Sequence, residues 1–136
     1  MSTQTKRQPK LPDTERIEIQ AVWSSVLSLK TPPVVPFPAW RTAVPGLVIH
    51  RDMLCPASFR IGQPETYVPE EGETWTLAHE TSGWMLCNKI KTAKLALALA
   101  EAVRNVADWT LERAPLLATP NLVNGFMAAR REVLEK

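Results

Sequence analysis

Residues 73–92 read ETWTLAHETSGWMLCNKIKT. From Thr74 to Glu80 the pattern alternates, with Trp75, Leu77 and His79 on one parity and Thr74, Thr76, Ala78 and Glu80 on the other. A period of two, rich in threonine and aromatic residues, is the pattern of a half-buried strand. Ser82-Gly83 supplies a turn, because glycine takes positive φ without a Cβ clash. WMLCNKI then returns as the antiparallel partner. A two- or four-residue loop sets Trp84, Leu86 and Ile90 beside Trp75, Leu77 and His79, and turns Met85, Cys87 and Lys89 to the other face with Thr76, Ala78 and Glu80. This predicts a hairpin with one strongly apolar face, in which Trp75 and Trp84 pack into the core rather than stack on bases.

Downstream of the hairpin, Thr92 is placed to cap a helix running to about Arg113. Leu95, Ala98, Leu99, Ala102, Val103, Val106 and Trp109 form its apolar stripe at three and four spacing. Pro115 ends it, since the residue before a proline is pushed out of the α region. A last helix is expected from Thr119-Pro120, a capping residue followed by proline at the first helical position. Leu122, Val123, Phe126, Met127, Val133 and Leu134 make its apolar side, and Gly125 marks fraying or close packing.

Upstream, residues 1–12 read as a flexible basic arm in which Lys6, Arg7 and Lys10 precede any acid. Residues 13–29 fit two patterns. Ile19, Val22, Trp23, Val26 and Leu27 form a helical stripe, while Ile17, Ile19, Ala21 and Trp23 alternate like a strand; the stripe continues where the alternation stops, which favours helix. Residues 31–40, TPPVVPFPAW, predict a rigid extended connector outside any ladder, because proline lacks the backbone donor. Short strands are expected at 47–51, 59–61 and 66–68, followed by an acidic turn at 69–73. The sum is one α+β domain over 13–136. A small, mostly antiparallel sheet of three to five strands packs on one long helix, with a C-terminal helix and an N-terminal helix closing the core.

Composition bounds the function classes. The 136 residues are 45% hydrophobic, which suits a folded single domain. Sixteen basic residues against 14 acidic give a net charge of +2, too little by itself to mark a polyanion partner. No apolar run approaches the roughly 18 residues of a membrane span, and the start lacks the apolar core of a signal peptide. The expected setting is a reducing cytoplasm, with Cys55 and Cys87 as free thiols.

Catalytic constellations are lacking. His50, Cys55, His79 and Cys87 are zinc ligands by type, but they lack the short paired spacings of a zinc site, and strand parity sets His79 and Cys87 on opposite faces. The same parity argues against a Cys–His dyad. Ser82 reads as a turn residue, since HETSG lacks the G-x-S-x-G elbow. Glu70, Glu71 and Glu73 read as a solvated loop, and no glycine-rich phosphate loop is present. No catalytic residue, metal or cofactor is therefore predicted. The expected function is a small non-catalytic accessory protein that contacts another protein or a second copy of itself. Its binding surface is drawn from the outer hairpin face (Met85, Cys87, Lys89), the positive hairpin exit (Lys91, Lys94) and Arg130 with Arg131. The alternative is nucleic-acid binding through the basic arm and the Lys89/Lys91/Lys94 cluster.

Overall fold

Five strands are followed by three helices in the computed structural model, which describes residues 11–23 and 32–135. The strands are β1 (Arg16–Val22), β2 (Val34–Arg41), β3 (Leu47–Leu54), β4 (Glu70–His79) and β5 (Met85–Ile90). The helices are α1 (Ala93–Ala102), α2 (Arg113–Leu117) and α3 (Leu122–Leu134). The sheet is antiparallel throughout, in the order β1-β2-β3-β4-β5. The fold is α+β.

The helices cover one side of the sheet. Ile49, Leu77, Cys87 and Ile90 pack there against Ala96, Leu99 and Val103, with Trp40 edge-on to Trp75 at 5.5 Å. Thr92 caps α1 as expected, its hydroxyl accepting from the Leu95 amide at 3.1 Å. The helix stops at Ala102, well short of Arg113. Trp109 Nε1 donates to the Val103 carbonyl at 2.9 Å, and the Asp108 carboxylate accepts from the Thr110 amide at 3.0 Å, so local bonds replace the helical ones. Pro115 does not end a helix. It lies in the first turn of α2, where its missing N–H is no loss. The last helix begins at Leu122, two residues later than Pro120 suggests. Gly125 is a close-packing position, where a Cβ would lie 3.1 Å from Val106 Cγ1.

Both N-terminal expectations change. Within 13–23 the strand pattern wins over the helix, and 24–29 lies outside the described residues. Residues 34–41, expected as a connector outside any ladder, form β2 and pair with β1 from Val22↔Val34 to Arg16↔Trp40. The prolines explain how both can hold. The Arg41 amide donates toward β1, to the Glu15 carbonyl at 2.9 Å, so odd-numbered β2 residues face β1. Pro36 and Pro38 therefore present their donorless nitrogens to β3, and the β2–β3 ladder shrinks to Trp40↔Ile49 and Arg41↔Val48.

Residues 59–61 and 66–68 are not strands. A 3-10 turn at Pro64–Thr66, with Arg60 N–H bound to Thr66 Oγ1 and Gly62 N–H to the Tyr67 hydroxyl, keeps this loop's hydrogen bonds local. Glu70 to Glu73, expected as a turn, already belong to β4.

The far side of the sheet is also buried, because the sheet curls on itself. Ile19, Ala21, Phe37 and Ala39 of β1 and β2 pack over Val48 and Ala78. The curl brings β1 to the β4–β5 turn, where the Val22 amide donates to the Gly83 carbonyl at 2.9 Å. Gly83 has φ +75, and a Cβ there would stand 2.0 Å from the Gln20 carbonyl oxygen. Arg41 ties the same end, at 3.1 Å to Glu15 and 3.0 Å to Glu80.

Candidate functional site

The curled sheet encloses a pocket of about 140 Å³ between the end of β1 and β5. Its polar lining is His50 and Asp52 of β3, Thr76 of β4, and Asn88 and Lys89 of β5. Strand parity points His50 and Asp52 to the far side and Arg51 to the helix side, where Arg51 covers the Trp75 ring at 4.9 Å and donates to the Gly72 carbonyl at 3.0 Å.

Asp52 is nearly buried and fully engaged. Thr76 Oγ1 donates to its Oδ1 at 2.6 Å, Thr74 Oγ1 donates to Oδ2, and the Lys89 amide lies 3.2 Å from Oδ2. One carboxylate thus joins β3, β4 and β5. His50 is 2% exposed, with its ring edge-on to Phe37 at 5.3 Å. Its Nδ1 sits 2.6 Å from the Arg51 carbonyl oxygen. That oxygen can only accept, so Nδ1 carries the hydrogen and Nε2 is a bare acceptor. Burial lowers the His50 pKa below its ordinary value, against smaller opposing effects of the Arg51 carbonyl and the Asp52 charge. The ring is therefore neutral at pH 7. Trp23, Met53, Leu54 and Met85 supply apolar walls.

The second concavity is a cleft of about 600 Å³ beside the start of α1. Lys91 and Lys94 line it together with Asp13 and Glu73, so its charges balance.

The predicted binding residues are thus divided. Met85 and Lys89 border the β1–β5 pocket, and Lys91 and Lys94 border the cleft. The lysine cluster does not converge on one concavity. Cys87 is not on the outer hairpin face. It opposes Leu77 and is buried on the helix side. Two register shifts cause this: Ala78↔Met85, Leu77↔Cys87 and Trp75↔Ile90 each skip one residue of β5, and Lys89 takes φ +57 in the second skip. Ala78, the other apolar member expected on an open outer face, lies under the curl. Arg130 stands beside the Cys87 thiol, a contact that raises the guanidinium pKa above its ordinary value, and 3.2 Å from Glu135. Arg131 is exposed.

His79 and Cys87 share a face, contrary to the parity count, yet His79 has no bonding capacity left. Its Nδ1 lies 2.7 Å from Ser82 Oγ, and its Nε2 faces the carbonyls of Trp109 at 3.0 Å and Leu111 at 2.9 Å. The ring staples the hairpin to the loop after α1. Among the described residues no three His, Cys, Asp or Glu side chains are grouped to hold a metal ion, and no helix is long and apolar enough to cross a membrane. Neither His50 nor Asp52 stands out in a scan for spaced ligands. The signal that could have found them is three polar residues in a row inside the apolar strand LVIHRDML. No protein family, curated protein or solved structure shows a significant match to this chain.

Proposed function

We propose that the protein is a small non-catalytic binding protein that acts through protein–protein contacts, with the outward surface of α2 and α3 as its contact surface and a second copy of the chain as its partner. One observation carries this. Sixteen consecutive residues, 114–129, bear no charge in a chain that is 22% charged, and of these only Leu116 and Phe126 are buried. Val123 is 69% exposed and Met127 is 42% exposed, one helical turn apart, although periodicity assigned both to the core. Absence of charge with exposed methionine and aliphatic groups is the composition of an interface centre rather than of a solvated face.

Charge placement favours self-association. Arg130, Arg131, Glu132 and Glu135 gather at the C-terminal end of α3. A two-fold, antiparallel contact sets that end beside the partner's uncharged start of α3, with Arg131 at the rim. Sedimentation equilibrium across the micromolar range tests this. The wild-type chain should dimerise, and Val123→Lys/Met127→Lys should weaken dimerisation by about tenfold or more, equivalent to about 1.4 kcal/mol, with an unchanged circular dichroism spectrum. A strictly monomeric wild-type chain would refute it.

Nucleic-acid binding is the second reading, favoured by Lys91 and Lys94 lining one cleft. Asp13 and Glu73 in the same cleft place it behind the first. A salt-sensitive gel shift that weakens in Lys91→Glu/Lys94→Glu would reverse the order.

A further inference from the structure

We propose that the β1–β5 pocket is a binding site for a small planar molecule with an N–H or O–H donor, which it gives to Nε2 of His50. This site is separate from the α2–α3 surface.

The argument begins with an orphan. Among the described residues, Nε2 has no hydrogen-bond partner, while the ring is 2% exposed and lines the pocket. Buried polar atoms in folded proteins are almost always paired, so an unpaired acceptor on a residue that lines a cavity calls for a donor that the described residues do not supply. The tautomer is set by the Arg51 carbonyl, and burial keeps the ring neutral, so Nε2 offers a lone pair and cannot donate.

The buried carboxylate in the pocket does not compete. The Asp52 carboxylate is occupied by Thr74, Thr76 and the Lys89 amide. Among the described residues His50 is therefore the one buried polar side chain of the lining that keeps an atom without a partner, beside the half-buried Asn88 and the exposed Lys89, and this selects a ligand with a donor on a largely apolar body.

Size and walls set the rest. A volume of about 140 Å³ matches the ~150 Å³ apolar cavity that accepts a benzene ring. The indole of Trp23 and the side chains of Met53, Leu54 and Met85 provide flat and pliable apolar surface for such a ring. Leu54, Met85 and Lys89 are the exposed members of the pocket lining and form its solvent side.

Phenol is the simplest probe, with anisole as the same shape without the donor. Isothermal titration calorimetry on the full chain should show phenol binding at least about tenfold more tightly than anisole, the equivalent of about 1.4 kcal/mol. In long-range proton–nitrogen spectra of the imidazoles, the His50 Nε2 resonance should move on phenol addition as it accepts a hydrogen bond, and the His79 resonances should stay in place. His50→Phe keeps a ring and removes the acceptor, so it should lose the preference for phenol over anisole. Met85→Trp narrows the mouth without touching His50 and should abolish phenol binding, which keeps the test open if His50→Phe does not fold. The proposal is overturned if saturating phenol leaves His50 Nε2 unmoved, as it would if the pocket took only water. It is also overturned if phenol and anisole bind equally, or if Met85→Trp binds phenol like wild type.

Discussion

Asp52 is the single residue on which three strands depend. Removing its carboxylate in Asp52→Ala leaves the Thr74 and Thr76 hydroxyls and the Lys89 amide without their acceptor. A stranded buried donor such as Thr76 costs about 1–3 kcal/mol and the part-buried bonds of Thr74 and Lys89 less, so the substitution should destabilise the fold by about 3 kcal/mol and lower Tm by roughly 10 °C. Asp52→Asn keeps one oxygen acceptor and should lose about half as much. A loss below about 1 kcal/mol for Asp52→Ala, measured by urea titration, would show that the three bonds are not limiting. His50 adds a pH dependence whose sign follows from its lowered folded-state pKa. Below the ordinary value of 6.5 the unfolded chain takes up a proton that the folded chain resists. This contribution to stability is complete above that value. It falls away as pH drops, until the folded ring protonates as well. Tm should therefore decline from pH 7.5 toward pH 5, and His50→Phe should flatten the decline. Sequence alone offered His50 only as a metal ligand by type, because spacing rules look for pairs of ligands. The tautomer and the orphaned nitrogen arise from a carbonyl one residue away and from burial, and neither is written in a spacing.

At the scale of elements, the legible parts were those decided locally. The β4 alternation, the Ser82-Gly83 turn and the Thr92 cap depend on a few neighbouring residues, and all three stand in the structure. Parity counting failed across β5 because it assumes an unbroken ladder, and one extra residue exchanges the two faces. The N-terminal strand was hidden because its partner, β2, carries prolines that seemed to forbid pairing, whereas they forbid it on one side only. Gly83 shows how tightly the elements are joined. Gly83→Ala must accommodate a methyl 2.0 Å from the Gln20 oxygen, at φ +75. Gly62 also has positive φ, at +87, but nothing lies within 4 Å of its missing Cβ. Gly62→Ala should therefore cost only the backbone strain, about 1–2 kcal/mol. Gly83→Ala should cost clearly more, about 3 kcal/mol or above, because β1 must also move. Equal losses in thermal unfolding would mean that the turn does not hold β1.

For the whole molecule, the curl that makes the pocket also makes a seam. β1 and β2 are paired along their length, as are β3 and β4, but the two halves share only the Trp40↔Ile49 and Arg41↔Val48 pairs. Further attachment comes from Trp40 packed on Trp75, the apolar layer under β1 and β2, the bond from Val22 to Gly83, and the Arg41 ion pairs. The ion pairs are solvated and contribute little. Segments held by fewer hydrogen bonds open first and open as units. The β1–β2 ribbon should therefore detach before the β3–β5 sheet, which the helices cover. Hydrogen exchange under native conditions should show the β2 amides that face β1, at Val35, Phe37 and Ala39, exchanging on the order of tenfold or more faster than the β3 amides that face β4, at Val48 and His50. Trp23, one wall of the pocket, follows directly on β1. Detachment would dismantle the pocket, so a molecule bound to His50 should slow exchange in β1 and β2 selectively, because it binds only the closed form. Uniform protection of both halves, with no selective slowing by phenol, would show that the sheet opens as one body and that the proline seam has no mechanical consequence.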